Sequence, residues 1–143
     1  MTARQTIIRS ATLTDEPAVH SLAAEMATSF VVERESFRRS LGELLASGNA
    51  VLLVAETDGE VSGYVLGFTH PAFYANGRVA WVEEIAVRPE QRRQRIGALL
   101  IEEFERRAFE AGAKLVALAT RRAADFYLAI GYEESATYFR KLL

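Results

Sequence analysis

Two groups of residues in this chain are spaced for chemistry. Glu83 and Glu84 stand side by side in the apolar run VAWVEEIAV, and ionised carboxylates rarely sit in such a run without a task or a partner. Just beyond, a turn carries Arg88, Arg92, Arg93 and Arg95 and runs into Gly97. Val79, Trp81, Val82, Ile85 and Val87 suit a strand, which must stop near Arg88 because Pro89 cannot donate to a ladder. Ile96, Leu99, Leu100 and Phe104 then follow helical spacing. A helix start presents unpaired N–H groups and a positive dipole end, so this strand–turn–helix is a seat for phosphate. Taken singly, each arginine reads equally well as solvated surface.

Composition bounds the rest. At 143 residues one domain, 1–143, is expected, with chain enough for a real core. A net charge of −2 does not suggest a nucleic-acid protein. The absence of cysteine removes disulfides, thiolate metal sites and a cysteine nucleophile, and two histidines, His20 and His70, argue against a metal site. No apolar run reaches membrane-spanning length and the N-terminus lacks a signal segment, so a cytoplasmic location is expected.

These residues need elements to hold them. Thr6 to Arg9 reads as a strand. Thr14 reads as the cap of a helix whose face is Val19, Leu22, Ala23 and Met26, with a break near Ser29. Glu33 to Leu45 reads as a second helix, with Phe37, Leu41, Leu44 and Leu45 on one face. Ala50 to Glu56 and Val61 to Thr69 are strands joined at an Asp58–Gly59 hairpin. Gly63 and Gly67 weaken the second strand unless a bulge or a close neighbour needs them. His70 to Gly77 is expected as a loop exposing Phe73 and Tyr74. The central strand and helix follow; the helix closes at Gly112. Leu115 to Ala119 reads as a buried strand, Arg122 to Ile130 as a short helix ended by Gly131, and Tyr132 to Leu143 as a last strand or hairpin. The order predicts an α/β (α+β) fold with a mostly antiparallel start and a central crossover.

Two motifs carry a resemblance. Val87, Arg88 and Pro89 end the strand, and Arg92, Arg93, Gln94, Arg95, Ile96 and Gly97 fill a loop of the form R/Q-x-x-G-x-G/A; farther on, Phe126, Tyr127, Gly131 and Tyr132 match F-Y-x-x-x-G-F/Y. The chain resembles the GNAT superfamily of acyl-CoA-dependent N-acyltransferases over essentially its whole length. Arg95 stands where the family's loop has its first glycine, and Arg121 where an asparagine is common. The backbone still cradles phosphate if Arg95 takes ordinary helical torsions and points outward.

The resemblance implies a largely antiparallel central sheet flanked by helices, acetyl-CoA as cosubstrate and no metal. It implies cofactor contacts from Ile85, Ala86, Val87, Arg92, Arg93, Gln94, Arg95, Ile96, Gly97, Ala98 and Phe126, the strand backbone pairing with the pantetheine arm. Expected partners are a small-molecule or peptide amine, with a homodimer as a candidate assembly and neither nucleic acid nor membrane. An amine acceptor with a pKa of about 10.4 must lose a proton, and a thiolate of pKa about 8.5 must regain one. Such a site needs a base and a donor, acting in direct transfer because no cysteine is present to carry the acyl group. Tyr127 matches the family's donor. Glu83 and Glu84 are the base candidates, on opposite faces unless a bulge intervenes, with Glu83 at the position of a glutamate used in some relatives. His70 is a weaker base candidate, and Phe30, Phe73, Tyr74 and Tyr138 are candidate walls of an acceptor pocket. Two other readings are a non-catalytic acyl-CoA sensor of the same fold and an interaction module using its basic turn on an acidic partner or RNA.

Overall fold

A computed structural model describes residues 5–92 and 95–143. Five strands form one sheet in the order β1-β2-β3-β4-β5: β1 Thr6–Ser10, β2 Ala50–Thr57, β3 Glu60–Ala72, β4 Gly77–Val87 and β5 Ala113–Leu118. The first four pair antiparallel; β4 and β5 are parallel, joined by the crossover helix α3, Ile96–Glu110. Helices α1, Glu16–Met26, and α2, Arg34–Ala46, lie between β1 and β2, and α4, Ala124–Ala129, follows β5. The expected mixed, largely antiparallel sheet flanked by helices is the observed one.

Strand alternation divides the core into two layers. Leu53, Ala55, Val65, Ala80 and Val82 face α3, against Leu100, Ile101, Phe104 and Ala108. Leu52, Val54, Tyr64 and Leu66 face α1 and α2, against Val19, Leu22, Ala23 and Leu41. The Asp58–Gly59 hairpin forms with φ of 51° and 82°, as two successive left-handed residues require. Gly63 and Gly67 are both needed by close neighbours. A Cβ on Gly67 would lie 2.3 Å from the Phe104 ring, and one on Gly63 would lie 2.8 Å from the Ala86 carbonyl oxygen.

Four expectations are corrected. Residues 70–72 are strand, not loop: β3 runs on past the end of β2, so Pro71 pairs only toward Arg78 and its missing N–H faces no second strand. Thr14 does not cap α1. Thr12 forms a capping box with Asp15, whose carboxylate accepts the Thr12 N–H at 2.8 Å and a two-pronged contact from Arg9 at 2.8 and 2.9 Å. Residues 131–143 form no last strand. Tyr138 and Phe139 are adjacent, so one strand face cannot bury both, and both are exposed. The strand after α3 is β5, Ala113–Leu118, at the sheet edge and only half-buried, with Leu115 exposed.

Candidate active site

The functional geometry begins with one extra residue in β4. Leu66 pairs with Glu84, but the next residue of β3, Gly67, pairs with Val82, leaving Glu83 as the bulge. Alternation changes phase there. Ala80 and Val82 face α3, and after the bulge it is Ile85 and Val87 that pack on that layer. Glu84 turns to the α1/α2 side, where it accepts a 2.7 Å hydrogen bond from the hydroxyl of buried Tyr64. Burial, reinforced by the Glu84 carboxylate, raises the Tyr64 pKa, so the phenol is held neutral as a donor. Glu83 is exposed and lines no cavity described below.

Where the phase changes, β4 also parts from β5. Their last pair is Val82 with Leu118, so among the described residues the β5 side of 83–87 has no partner strand. A cavity of about 450 Å3 opens there, lined by Ile85, Ala86, Val87, Arg92, Gly97, Phe126 and Tyr127. Six expected cofactor contacts and the expected donor, Tyr127, therefore line one space. Leu22, Glu25, Met26, Thr28, Arg122 and Ala123 complete it. They come from α1, from the segment just after it and from the turn before α4, and their own spacing carries no motif.

Helix α3 enters this cavity by its N-terminus. The first turn leaves the N–H groups of Ile96, Gly97 and Ala98 without intrahelical acceptors, while Leu99 N–H reaches the Arg95 carbonyl at 3.0 Å. The side chains of Ile96 and Ala98 are buried in the core, so these residues can meet a ligand only through backbone. Arg95 caps the helix with φ 60° and ψ 18°, the left-handed region, not ordinary helical torsions. The family's glycine suits that torsion; here an arginine adopts it and points outward, with Nη2 3.5 Å from Glu102. Arg92 lines the cavity and donates to the Val87 carbonyl at 3.3 Å. Arg88 is turned away, donating to the Val61 carbonyl at 2.9 Å. Arg93 and Gln94 lie outside the described residues.

Tyr127 is buried, stacked edge-to-face on Phe126 and on Tyr132 at centroid distances of 4.9 and 5.7 Å. Its hydroxyl makes no hydrogen bond to a described residue. Burial raises its pKa, which keeps the proton on the phenol. Tyr132 serves a different end: its hydroxyl donates to Glu105 of α3 at 2.7 Å and fixes the end of α4 against that helix.

On the other side of β4 lies a second cleft of about 350 Å3, floored by Tyr64, Leu66 and Glu84 and walled by α1 and α2. The two spaces adjoin at Glu84 and Ile85, and α1 lies between them, giving Val19 and Ala23 to one and Leu22 and Met26 to the other. Phe30, Phe73, Tyr74 and Tyr138 wall neither; all four are exposed, and Phe37 and Tyr64 are the aromatics of the cleft. His70 is exposed, with Nδ1 3.1 Å from the Pro71 carbonyl. Among the described residues no three His, Asp or Glu side chains gather as metal ligands, and no helix is long and apolar enough to cross a membrane.

Comparison with known proteins identifies the fold and the family. The profile of the acetyltransferase (GNAT) family matches residues 17–132. An aminoalkylphosphonate N-acetyltransferase of Salmonella typhimurium is 33% identical over 141 residues, covering 95% of this chain and 90% of that protein. A Bacillus halodurans structure described as a transcriptional regulator superposes with a TM-score of 0.83 at 27% identity, over 97% of this chain and all (100%) of that one. Glucosamine-6-phosphate N-acetyltransferase of Arabidopsis thaliana shares the fold, with a TM-score of 0.86 at 20% identity over 96% and 98% of the two chains. The chain belongs to the GNAT family of acetyl-CoA-dependent acetyltransferases.

Proposed function

We propose that this protein moves an acetyl group from acetyl-CoA to a primary amine by direct transfer in a ternary complex. The observation that carries the reading is the position of Glu84 and Tyr127. One floors the cleft, the other lines the cavity, and the unpaired stretch of β4 runs between the two spaces.

Acetyl-CoA supplies an activated acyl group as a thioester. The backbone of Ile85, Ala86 and Val87 offers its open edge to an amide-bearing arm, as an added strand would. The N–H groups of Ile96, Gly97 and Ala98, with Arg92 and Arg122 nearby, suit a pyrophosphate. Glu84 takes a proton from the incoming ammonium, directly or through water, so that the nitrogen lone pair is free to form the C–N bond. As the C–S bond breaks, the Tyr127 hydroxyl gives its proton to sulfur, the nitrogen sheds its second proton to water to become a neutral amide, and the Tyr127 phenolate is reprotonated from solvent. Glu83, at the exposed bulge, shapes the strand rather than handling the proton.

A thiol-release screen with acetyl-CoA over amino acids, polyamines, aminoglycosides and peptide N-termini tests the transfer. Gly97→Val tests the cofactor's place. A Cβ there would sit 3.5 Å from the Phe126 ring, an ordinary contact, so the fold is expected to survive while the branched side chain intrudes on the cavity and weakens CoA binding. Normal CoA affinity in this variant would move the pyrophosphate elsewhere. A regulatory reading, in which the fold binds acyl-CoA without transferring it, takes support from the Bacillus halodurans structure and predicts CoA binding with no thiol release.

A further inference from the structure

Resting on the reading of the Glu84 cleft as the acceptor side, we infer that the acceptor is a primary amine on an apolar body that carries no anionic group. The walls are apolar, from Val32, Phe37, Leu41 and Leu44, and the ionisable groups among the lining residues are Glu33, Glu84 and the neutral phenol of Tyr64. Among the described residues no lysine or arginine lines this cleft. Of the α2 arginines, Arg34 pairs with Glu16 and Arg38 reaches Glu16 at 3.5 Å and Glu35 at 3.1 Å. Arg39 comes nearest the cleft: it is not a lining residue, but it donates to Oγ of the lining residue Ser36 at 3.2 Å. Arg92 and Arg122 line the other cavity, where the cofactor is placed.

A protonated amine is drawn toward the two carboxylates, and its apolar body replaces water against the walls. A phosphonate or carboxylate on the same body would enter an apolar space of like charge with no cation to meet it. At about 350 Å3 the cleft is at the small end of ligand pockets, which favours a compact acceptor over an oligosaccharide. The Salmonella typhimurium relative is named for a phosphonate substrate. The cleft chemistry described here separates this chain from that specificity.

The test is a matched pair, 2-phenylethylamine against 2-aminoethylphosphonate, assayed by thiol release from acetyl-CoA. Expected is a kcat/KM for the apolar amine higher by on the order of tenfold or more, since like-charge placement costs several kcal/mol and each 1.4 is tenfold. Ser40→Arg, on an exposed lining residue of α2, adds the missing cation and should narrow or reverse that ratio, with circular dichroism to verify folding and the KM for acetyl-CoA as control. A wild-type preference for the phosphonate, or a ratio untouched by Ser40→Arg, overturns the inference and leaves acetyl transfer standing. Acetyl-CoA binding with neither amine acetylated, and none active in the wider screen, sinks the transfer reading and this one together.

Discussion

The Tyr64 hydroxyl donates a 2.7 Å hydrogen bond to Glu84 across β3 and β4, so the carboxylate flooring the α1/α2 cleft is held by a buried phenol. Glu84→Gln keeps the shape and an acceptor for that bond but removes the proposed base. The expected result is a folded protein that binds CoA normally, with kcat lower by roughly 10²–10⁴. Tyr64→Phe frees the carboxylate instead, and a hydrogen bond to a charged group is worth about 1.5–3 kcal/mol. Urea unfolding should show a loss of that order, with a smaller fall in kcat than Glu84→Gln gives. Equal rates for Glu84→Gln and wild type in single turnover would transfer the base role to water or to Glu83.

Tyr127→Phe removes one oxygen and keeps the two edge-to-face contacts with Phe126 and Tyr132. Packing and CoA affinity should therefore survive, while the chemical step slows by roughly 10²–10⁴-fold if the phenol is the donor. Because burial raises its pKa, the wild-type phenol should stay protonated above the ordinary tyrosine value of about 10. Its loss should therefore not limit the rate at pH 8 to 9. An unchanged single-turnover rate would leave water as the proton source.

Arg95 holds φ at 60°, a torsion that costs a non-glycine residue on the order of 1 kcal/mol or more. Among the described residues its side chain meets Glu102, an exposed contact at 3.5 Å that is worth little. Arg95→Gly should hold or raise the melting temperature and change the KM for CoA modestly. A large loss of stability would reveal a structural duty for the side chain.

Asp15 is buried, and the Arg9 guanidinium holds its carboxyl below the usual range, helped by the Thr12 N–H. A depressed folded pKa stabilises the protein above the unfolded value of about 3.9 and is lost as pH falls through the folded one. Glu103, held down to about 2 by Arg106 and then Arg107, acts in the same direction. The stability advantage of wild type over Asp15→Asn, read from urea midpoints, should therefore be constant from pH 7 to 5 and shrink below about 4. An advantage that persists undiminished at pH 2 would show that the contact works through shape, not charge.

Much of this was legible where local chemistry dictates local geometry. Asp58–Gly59 can hardly form anything but a tight turn, and the change from strand to helical spacing across Pro89 marks β4 and α3. Gly63 and Gly67 announced a close neighbour without saying which; Ala86 and Phe104 are supplied by pairing and helix packing. The left-handed torsion at Arg95 was signalled only by the glycine the family has there; the arginine itself suggests ordinary helical torsions, which it does not adopt. Glu25, Thr28 and Arg122 were not legible, since they reach the cavity only through the docking of α1 and the turn before α4. The extension of β3 across Pro71 depends on β2 beginning only at Ala50, opposite Phe68, a fact about a different strand.

The bulge at Glu83 takes up one extra residue without exchanging the faces of β4: Val82 pairs with Gly67 and Glu84 with Leu66, as two successive residues of a regular strand would. Deleting Glu83 would therefore leave Glu84 at the cleft floor and Ile85 on the α3 layer, and exposed Glu83 itself should accept many replacements. A residue inserted after Glu84 has no second bulge to absorb it, so it should exchange the two faces of everything beyond it and act like several substitutions at once.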